Sequence, residues 1–190
     1  MKKVLWKPKY PDKTHMMDFI IIINNKYGKN LSSYSDLHEW SIKNIAIFWE
    51  EIWEYCGIIY SVNFSNVIDN TSKMPGAKWF KGSRLNFAEN LLRHRDNKPA
   101  ISFMGENGMK RKLTYKELFK EVEKLSHSMK KIGVKKGDRV VGFLPNIPEA
   151  VIAMLATSAI GAVWSSCSPD FGISGALDRF LQIKPVLIFS

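Results

Sequence analysis

Apolar residues in the first half of the chain recur at the three- and four-residue spacing of a helix. The clearest stripe lies within residues 45–55 and consists of Ile45, Phe48, Trp49, Ile52 and Trp53. A stripe of this kind marks the side of a helix that packs into a core. We therefore predict that Phe48, Ile52 and Trp53 are buried.

Capping residues mark where the predicted helices of this half begin. Thr14 precedes a long helical segment, Ser35 precedes a short one, and Asn44 precedes the segment that carries the stripe. The side-chain oxygens of such residues accept hydrogen bonds from the first free N–H groups of a helix. Residues 61–78 show little periodicity and are interpreted as a connector. A helical N-terminal arm is predicted over residues 1–95.

From residue 96 the pattern changes to alternating strands and helices. The predicted strands lie at 100–104, 110–113, 139–144, 163–166 and 186–189, and the predicted helices lie at 115–131, 148–160 and 174–182. Thr114 and Glu117 have the spacing of a capping box, and Ser174 can cap the last helix. This order is typical of an α/β unit with parallel strands and right-handed crossovers. The predicted fold class is α/β, a helical arm followed by an incomplete parallel-sheet layer over residues 96–190.

Composition narrows the function classes. The formal net charge is +10, but the basic residues are scattered, and the densest groups are Lys110-Arg111-Lys112 and Lys135-Lys136. This distribution favours a solvated basic surface, so no nucleic-acid partner is expected. The apolar run Phe19–Ile23 is much shorter than the roughly 20 residues of a membrane span, so no membrane partner is expected. Cys56 and Cys167 are too few for a disulfide scaffold, which favours a reduced, cytoplasmic location.

Side chains with reactive chemistry show no catalytic spacing. The four histidines lack the spacing of metal ligands, and no serine lies in a Gly-x-Ser-x-Gly elbow. We also find no Gly-rich loop of the kind that cradles phosphates. The residues Ser168-Pro169-Asp170 are typical of a capping turn between a strand and a helix. Arg84 is interpreted as packing over the ring of Trp79. No catalytic or metal-binding residue is predicted.

Three blocks of sequence, at residues 79–90, 137–150 and 161–172, carry a resemblance to a known family. They resemble the N-terminal region of acyl-CoA synthetases in the adenylate-forming superfamily. They are close to the acetyl-CoA synthetases and most similar to the acetoacetyl-CoA synthetases. Acetyl-CoA synthetases usually carry His where this chain has Trp164, and a Phe-Gly-Gly-Phe stretch where it has residues 168–171. The resemblance extends over essentially the whole chain.

The resemblance implies an acid–thiol ligase that uses acetoacetate, ATP and CoA, with Mg²⁺. Such enzymes convert the acid to an acyl-adenylate, and the CoA thiol then displaces AMP. Ser168, Pro169 and Asp170 match positions that line the CoA tunnel of related enzymes. By the same resemblance, residues 1–95 form an acetyl-CoA synthetase-type N-terminal region and residues 96–190 begin the AMP-binding domain.

The family's phosphate loop, its later nucleotide-binding motifs and its catalytic lysine have no counterpart in the sequence. The 190 residues alone are therefore expected to be inactive. In a complete domain the apolar helix 148–160 should be buried on several sides. In the 190 residues alone, residues 151–160 and 186–189 are expected to lack partners and to leave an exposed patch.

Two other functions stay open from the sequence. One is a non-catalytic half-domain of the CoA-ligase type that acts as a binding or scaffolding module. The other, supported only by charge, is a basic nucleic-acid-binding domain. The sequence leaves open the acid that is activated, the oligomeric state, and whether the chain is a natural short protein.

Overall fold

The computed structural model describes residues 5–190. The chain divides into two compact units, one ending at Arg84 and the other running from Leu85 to Ser190.

Among its described residues, the first unit contains a single 3₁₀ turn (Pro11–Lys13), three α-helices and one small antiparallel sheet. The elements are α1 (His15–Tyr27), α2 (Tyr34–Lys43), α3 (Ile45–Tyr55), β1 (Asn66–Ile68) and β2 (Trp79–Lys81). The Thr14 hydroxyl accepts a hydrogen bond from the backbone N–H of Met17, which confirms its predicted capping role. The interpretation of residues 61–78 as a plain connector is wrong, because β1 lies within this segment and pairs with β2.

Two of the predicted caps act differently in the structure. Helix α2 begins after Ser33 rather than Ser35, because Ser33 and Asp36 form a capping box. The Asp36 backbone N–H donates to Ser33 Oγ at 3.2 Å, and the Asp36 carboxylate accepts from the Ser33 backbone N–H at 3.0 Å. The Asn44 side chain does not cap α3. Its Nδ2 donates a hydrogen bond to the Trp40 carbonyl at 2.9 Å, so the side chain caps the C-terminal end of α2 instead.

The apolar stripe of α3 is divided between two clusters. The core of the first unit is formed by Phe19, Ile20, Ile23, Leu37 and Trp40, and Phe48 and Ile52 pack half-buried against it. Trp53 is buried in a separate aromatic group, where its ring stacks on Phe80 with 4.8 Å between centroids. Burial is thus confirmed for Trp53 and is partial for Phe48 and Ile52, while Trp49 is exposed.

One carboxylate is buried in the first unit. Glu51 is only 4% exposed, and its Oε1 accepts hydrogen bonds from Lys26 Nζ at 2.5 Å and from the Tyr27 hydroxyl at 2.7 Å. A buried charge is tolerated only when it is paired and hydrogen-bonded. Burial, together with the hydrogen bond to Glu51, raises the pKa of Tyr27 to about 12.

The second unit has the predicted alternation of strands and helices. Its elements are α4 (Phe87–Leu91), β3 (Pro99–Met104), β4 (Lys110–Thr114), α5 (Tyr115–Lys131), β5 (Arg139–Phe143), α6 (Pro148–Ala159), β6 (Val163–Cys167), α7 (Gly172–Ile183) and β7 (Leu187–Phe189). Strands β3 and β4 form an antiparallel hairpin, and β5 pairs in parallel with β6 on one side and β7 on the other. The capping box of Thr114 and Glu117 is confirmed. The cap assigned to Ser174 is wrong, because α7 already begins at Gly172.

The parallel sheet is covered on both faces. Val140 belongs to a core cluster with α5 and α6, whereas the next residue, Val141, belongs to a cluster with Ala176 and Phe180 of α7. Successive side chains of a strand point to opposite faces of its sheet. Helices α6 and α7 therefore lie on opposite faces.

Helix α7 carries an exposed apolar stripe, and Val186 and Ile188 at the end of the chain are exposed as well, as expected for residues 186–189. Helix α6 is buried along much of its length, as predicted for a complete domain, so the expectation that it lacks partners in these residues is wrong. The exposed stripe is formed by Ile173, Leu177 and Leu181 of α7, which are 74%, 50% and 69% exposed. Strand β7 pairs only with β5 among the described residues, so its outer edge is unpaired as expected. Within residues 5–190 no helix has both the length and the apolar character of a membrane span.

Candidate functional site

The connections that follow the adjacent parallel strands β5 and β6 lead to different faces of the sheet. Strand β6 lies on one side of β5 and β7 on the other, and the connections after β5 and β6 enter helices on opposite faces of the sheet. The two connecting loops therefore diverge at the carboxyl ends of adjacent strands. Open α/β sheets bind ligands in the crevice that such a divergence leaves.

A crevice of about 540 Å³ lies between these two loops. One wall is the β5–α6 loop, with Pro145, Asn146 and Ile147, and the opposite wall is Ser168-Pro169-Asp170. The turn of the β3–β4 hairpin supplies the remaining lining residues, Phe103, Met104, Gly105 and Glu106. The structure thus brings the three sequence-predicted site residues together in one wall of a cavity.

The local geometry of Ser168 is that of a capping turn. Ser168 Oγ accepts a hydrogen bond from the Asp170 backbone N–H at 3.3 Å and donates to the Asp170 carboxylate at 2.8 Å. A single 3₁₀ turn, Pro169–Phe171, follows before α7 begins. This arrangement agrees with the capping interpretation made from the sequence. It also holds the Asp170 carboxylate at the rim of the crevice, where the residue is exposed.

The charge of the crevice limits what it can hold. Its lining contains the carboxyl groups of Glu106 and Asp170 and the amide of Asn146, and no Lys or Arg is among the described lining residues. Such a lining repels a phosphate group. It suits a neutral polar ring whose N–H groups donate to a carboxylate or an amide oxygen.

Sequence reasoning missed Asn146 and Glu106. Asn146 lines the same crevice as Ser168 because β5 pairs with β6, and the sequence does not state this pairing. Glu106 reaches the crevice because the β3–β4 hairpin lies beside the parallel sheet. The available signal was the rule that strand-end loops form the ligand site in sheets of this type.

The predicted cation–π contact of Arg84 is wrong. Among the described residues, the cations that lie over aromatic rings are Lys9, Lys13, Lys26, Arg95 and Arg179. Trp79 instead packs edge-on against Trp49, with 5.9 Å between ring centroids, and Arg84 forms a backbone bridge with Val62. Residues 5–190 contain no group of three His, Cys, Asp or Glu side chains placed to hold a metal ion.

A second cavity of about 580 Å³ lies beside β7, α5 and α6. Its lining is largely apolar, with an Arg111–Glu149 ion pair among the residues around it. Burial of Glu149 is the largest single effect and opposes ionisation, but the hydrogen bond from Arg111, a backbone hydrogen bond and the charge of Arg111 together outweigh it, so the pKa of this carboxyl is lowered. Lys124 and Glu121 form a second ion pair in this lining, so the charged side chains of this cavity are already paired with each other.

Comparison with known proteins gives the family. A family model described as AMP-binding enzyme matches residues 87–189, more than half of the chain. The chain belongs to the AMP-binding enzyme family. A second family model, described as the acetyl-coenzyme A synthetase N-terminus, matches residues 34–91.

Individual relatives agree with this family. The acetoacetyl-CoA synthetase of Macaca fascicularis is 47% identical over 99% of the chain, which spans 28% of that protein. The malonamoyl-CoA synthetase of Penicillium aethiopicum is 40% identical over 100% of the chain, which spans 27% of that protein. The solved acetoacetyl-CoA synthetase of Streptomyces lividans is 38% identical and superposes with a TM-score of 0.90, covering 98% of this chain and 30% of its own.

These matches confirm the resemblance inferred from residues 79–90, 137–150 and 161–172, and they confirm the fold class. The chain spans less than a third of the length of these relatives. The relatives differ in the acid that their names specify, although each is similar over nearly the whole chain.

Proposed function

We propose that the chain is the N-terminal portion of an ATP-dependent acetoacetate–CoA ligase. The complete enzyme would activate the carboxylate of acetoacetate as an acyl-adenylate, with ATP and Mg²⁺, and the CoA thiol would then displace AMP. Residues up to about 95 would form the acetyl-CoA synthetase-type region, and residues 96–190 would begin the AMP-binding domain. The enzyme would act in the cytoplasm on small molecules, without a nucleic-acid or membrane partner.

The observation that carries the proposal is the position of Ser168-Pro169-Asp170. By the family resemblance these residues correspond to CoA-lining positions of related enzymes, and they line a crevice at the carboxyl ends of two adjacent parallel strands. Similarity to acetoacetyl-CoA synthetases over 99% of the chain supports the same reaction class.

Within this function we assign the crevice to the adenine end of CoA. Asp170 can accept a hydrogen bond from an exocyclic amino group, and Asn146 can both donate to and accept from a ring edge. The phosphates of CoA and of ATP would be held by groups outside this crevice. The described lining of the crevice contains carboxylates and no Lys or Arg side chain. CoA supplies the thiol nucleophile, and these residues would only bind and orient it.

Substitution of Asp170 in the complete polypeptide is expected to weaken the use of CoA selectively. Asp170→Ala should raise the KM for CoA about tenfold, the cost of losing one hydrogen bond to a charged group. Asp170→Asn, which keeps one carbonyl acceptor, should raise it less. ATP–pyrophosphate exchange driven by acetoacetate, which reports adenylate formation alone, should stay within about twofold of wild type.

Asp178→Asn is the matched control, because Asp178 is an exposed carboxylate on α7 outside the crevice lining. The assignment of the crevice fails if Asp170→Ala leaves the KM for CoA unchanged. It also fails if the variant slows pyrophosphate exchange as much as thioester formation.

A further inference from the structure

A glycine in the centre of the parallel sheet is required because there is no room for a side chain at its position. Its backbone conformation does not require glycine. Gly142 is buried in β5, and it is not among the glycines with positive φ. A Cβ atom built on Gly142 would lie 2.7 Å from Trp164 Cη2 and 2.8 Å from Trp164 Cζ2. Carbon atoms do not approach so closely without displacement, so the far edge of the Trp164 indole occupies the space that any other residue would fill.

The Trp164 side chain spans the three parallel strands. It projects from β6, lies over Gly142 of β5, and its ring stands 6.2 Å from the Phe189 ring of β7 at an interplanar angle of 43°. Leu144 Cδ1 would lie 3.5 Å from the same added Cβ atom, and Leu144 leads directly into the β5–α6 loop. The contact therefore lies close in sequence to the β5–α6 loop, which forms one wall of the crevice.

The opposite wall begins on the strand that carries Trp164. Parallel pairing of β5 with β6 ends at Phe143 and Cys167, and Ser168 is the next residue. Gly142 lies two residues before Leu144, and Trp164 lies four residues before Ser168, so a change in the spacing of the two strands at this contact would displace both loops. Paired strands are rigid elements, and displacement of a binding group by about 1 Å can cost on the order of a hundredfold in rate.

We propose that Gly142 and Trp164 form a size-matched pair that positions the two loops of the crevice for CoA. This inference rests on the proposed function. The pair acts through the loops, so Gly142 and Trp164 are positioning residues rather than groups that touch the reacting atoms.

The test uses the complete polypeptide with G142A, W164F and the double variant. G142A is expected to raise both the Kd and the KM for CoA about tenfold, because the added methyl group displaces the indole and β6 with it. ATP–pyrophosphate exchange should change less than about twofold, because adenylate formation does not use CoA. W164F removes the indole atoms that would clash and should raise the Kd about threefold.

The double variant decides between a coupled pair and two separate packing defects. If the residues are coupled, G142A should have little further effect in the W164F background, and the double variant should resemble W164F alone. Val141→Ala is the control for lost packing, because Val141 is fully buried on the other face of the same strand. It should lower the melting temperature while leaving the Kd for CoA unchanged.

Three results would overturn the pairing: an unchanged Kd for CoA in G142A, multiplicative effects in the double variant, or a Val141→Ala variant that weakens CoA equally. Failure of this inference can be distinguished from failure of the proposed function. A wild-type polypeptide that binds CoA but forms no acetoacetyl-CoA would contradict the ligase assignment, and the CoA affinities of the variants would still test the pair.

Discussion

The 190-residue chain expressed alone is expected to release no measurable AMP from ATP in the presence of acetoacetate and CoA. Its rate should be at least about a thousandfold below that of the complete polypeptide. Transfer chemistry on a triphosphate depends on backbone N–H donors, a cation and a positioned lysine around the phosphates. Removal of a single such donor typically costs on the order of a hundredfold to a thousandfold. The sequence contains no Gly-rich phosphate loop, and the crevice at Ser168 is lined by carboxylates.

A folded sample is essential to this comparison. The α7 stripe of Ile173, Leu177 and Leu181 is exposed and favours self-association, so the assay should follow gel filtration and circular dichroism of the same fraction. The complete polypeptide at equal molarity is the positive control. Turnover by a monodisperse preparation of the 190 residues would contradict both the inactivity of the isolated chain and the need for the missing motifs.

The first unit is expected to lose stability between about pH 10 and pH 12 through Tyr27. Its pKa is raised to about 12, firstly by burial and secondly by the hydrogen bond to Glu51. In this window the unfolded side chain has lost its proton while the folded one retains it, so unfolding releases a proton and rising pH favours unfolding. The stabilisation is fully present below about pH 10 and should fall by on the order of 2 kcal/mol by pH 12.

Urea unfolding at a series of pH values measures this loss. Tyr27→Phe removes the ionisable hydroxyl, and its unfolding free energy should fall less steeply over the same window. The pKa of Lys26 is also raised, mainly by its hydrogen bond to Glu51, and the pKa of Tyr55 is raised by burial. These groups contribute in the same direction, so only the difference between the wild type and Tyr27→Phe is assigned to Tyr27. Identical slopes for the two proteins would show that Tyr27 is not responsible.

Local signals in the sequence predicted which helices and strands form more accurately than they predicted the residues at which those elements begin and end. The capping box of Thr114 and Glu117 is fixed by residues three positions apart, and it was found correctly. The sequence predicts the start of α2 at Ser35, but Ser33, two residues earlier, is the cap in the structure. Only the structure shows that Asp36 completes a box with Ser33. Asn44 illustrates a second limit of prediction from sequence. A polar residue between two helices can cap the C-terminus of the first or the N-terminus of the second, and the sequence does not show which.

The site could be predicted only in part, because it depends on contacts between distant segments. Family resemblance makes Ser168, Pro169 and Asp170 candidate site residues, and the structure shows that they line a crevice. Asn146 joins them because β5 pairs with β6, which depends on long-range contacts rather than on local pattern. The fit of Trp164 over Gly142 is equally invisible in sequence, where Gly142 is only a small residue within an apolar strand.

The most direct test of the central assignment is to measure which acid, acetoacetate or acetate, the complete polypeptide uses more efficiently. We would measure kcat/KM for acetoacetate and for acetate at saturating ATP, Mg²⁺ and CoA, with AMP and the acyl-CoA product quantified together. Acetate lacks the additional keto group of acetoacetate. In a pocket built to bind that group, acetate would leave the polar groups of the pocket without a partner, so the pocket should reject it. We predict AMP and acetoacetyl-CoA in equal amounts and a preference for acetoacetate of at least about tenfold. A preference for acetate, or formation of ADP in place of AMP, would contradict the assignment.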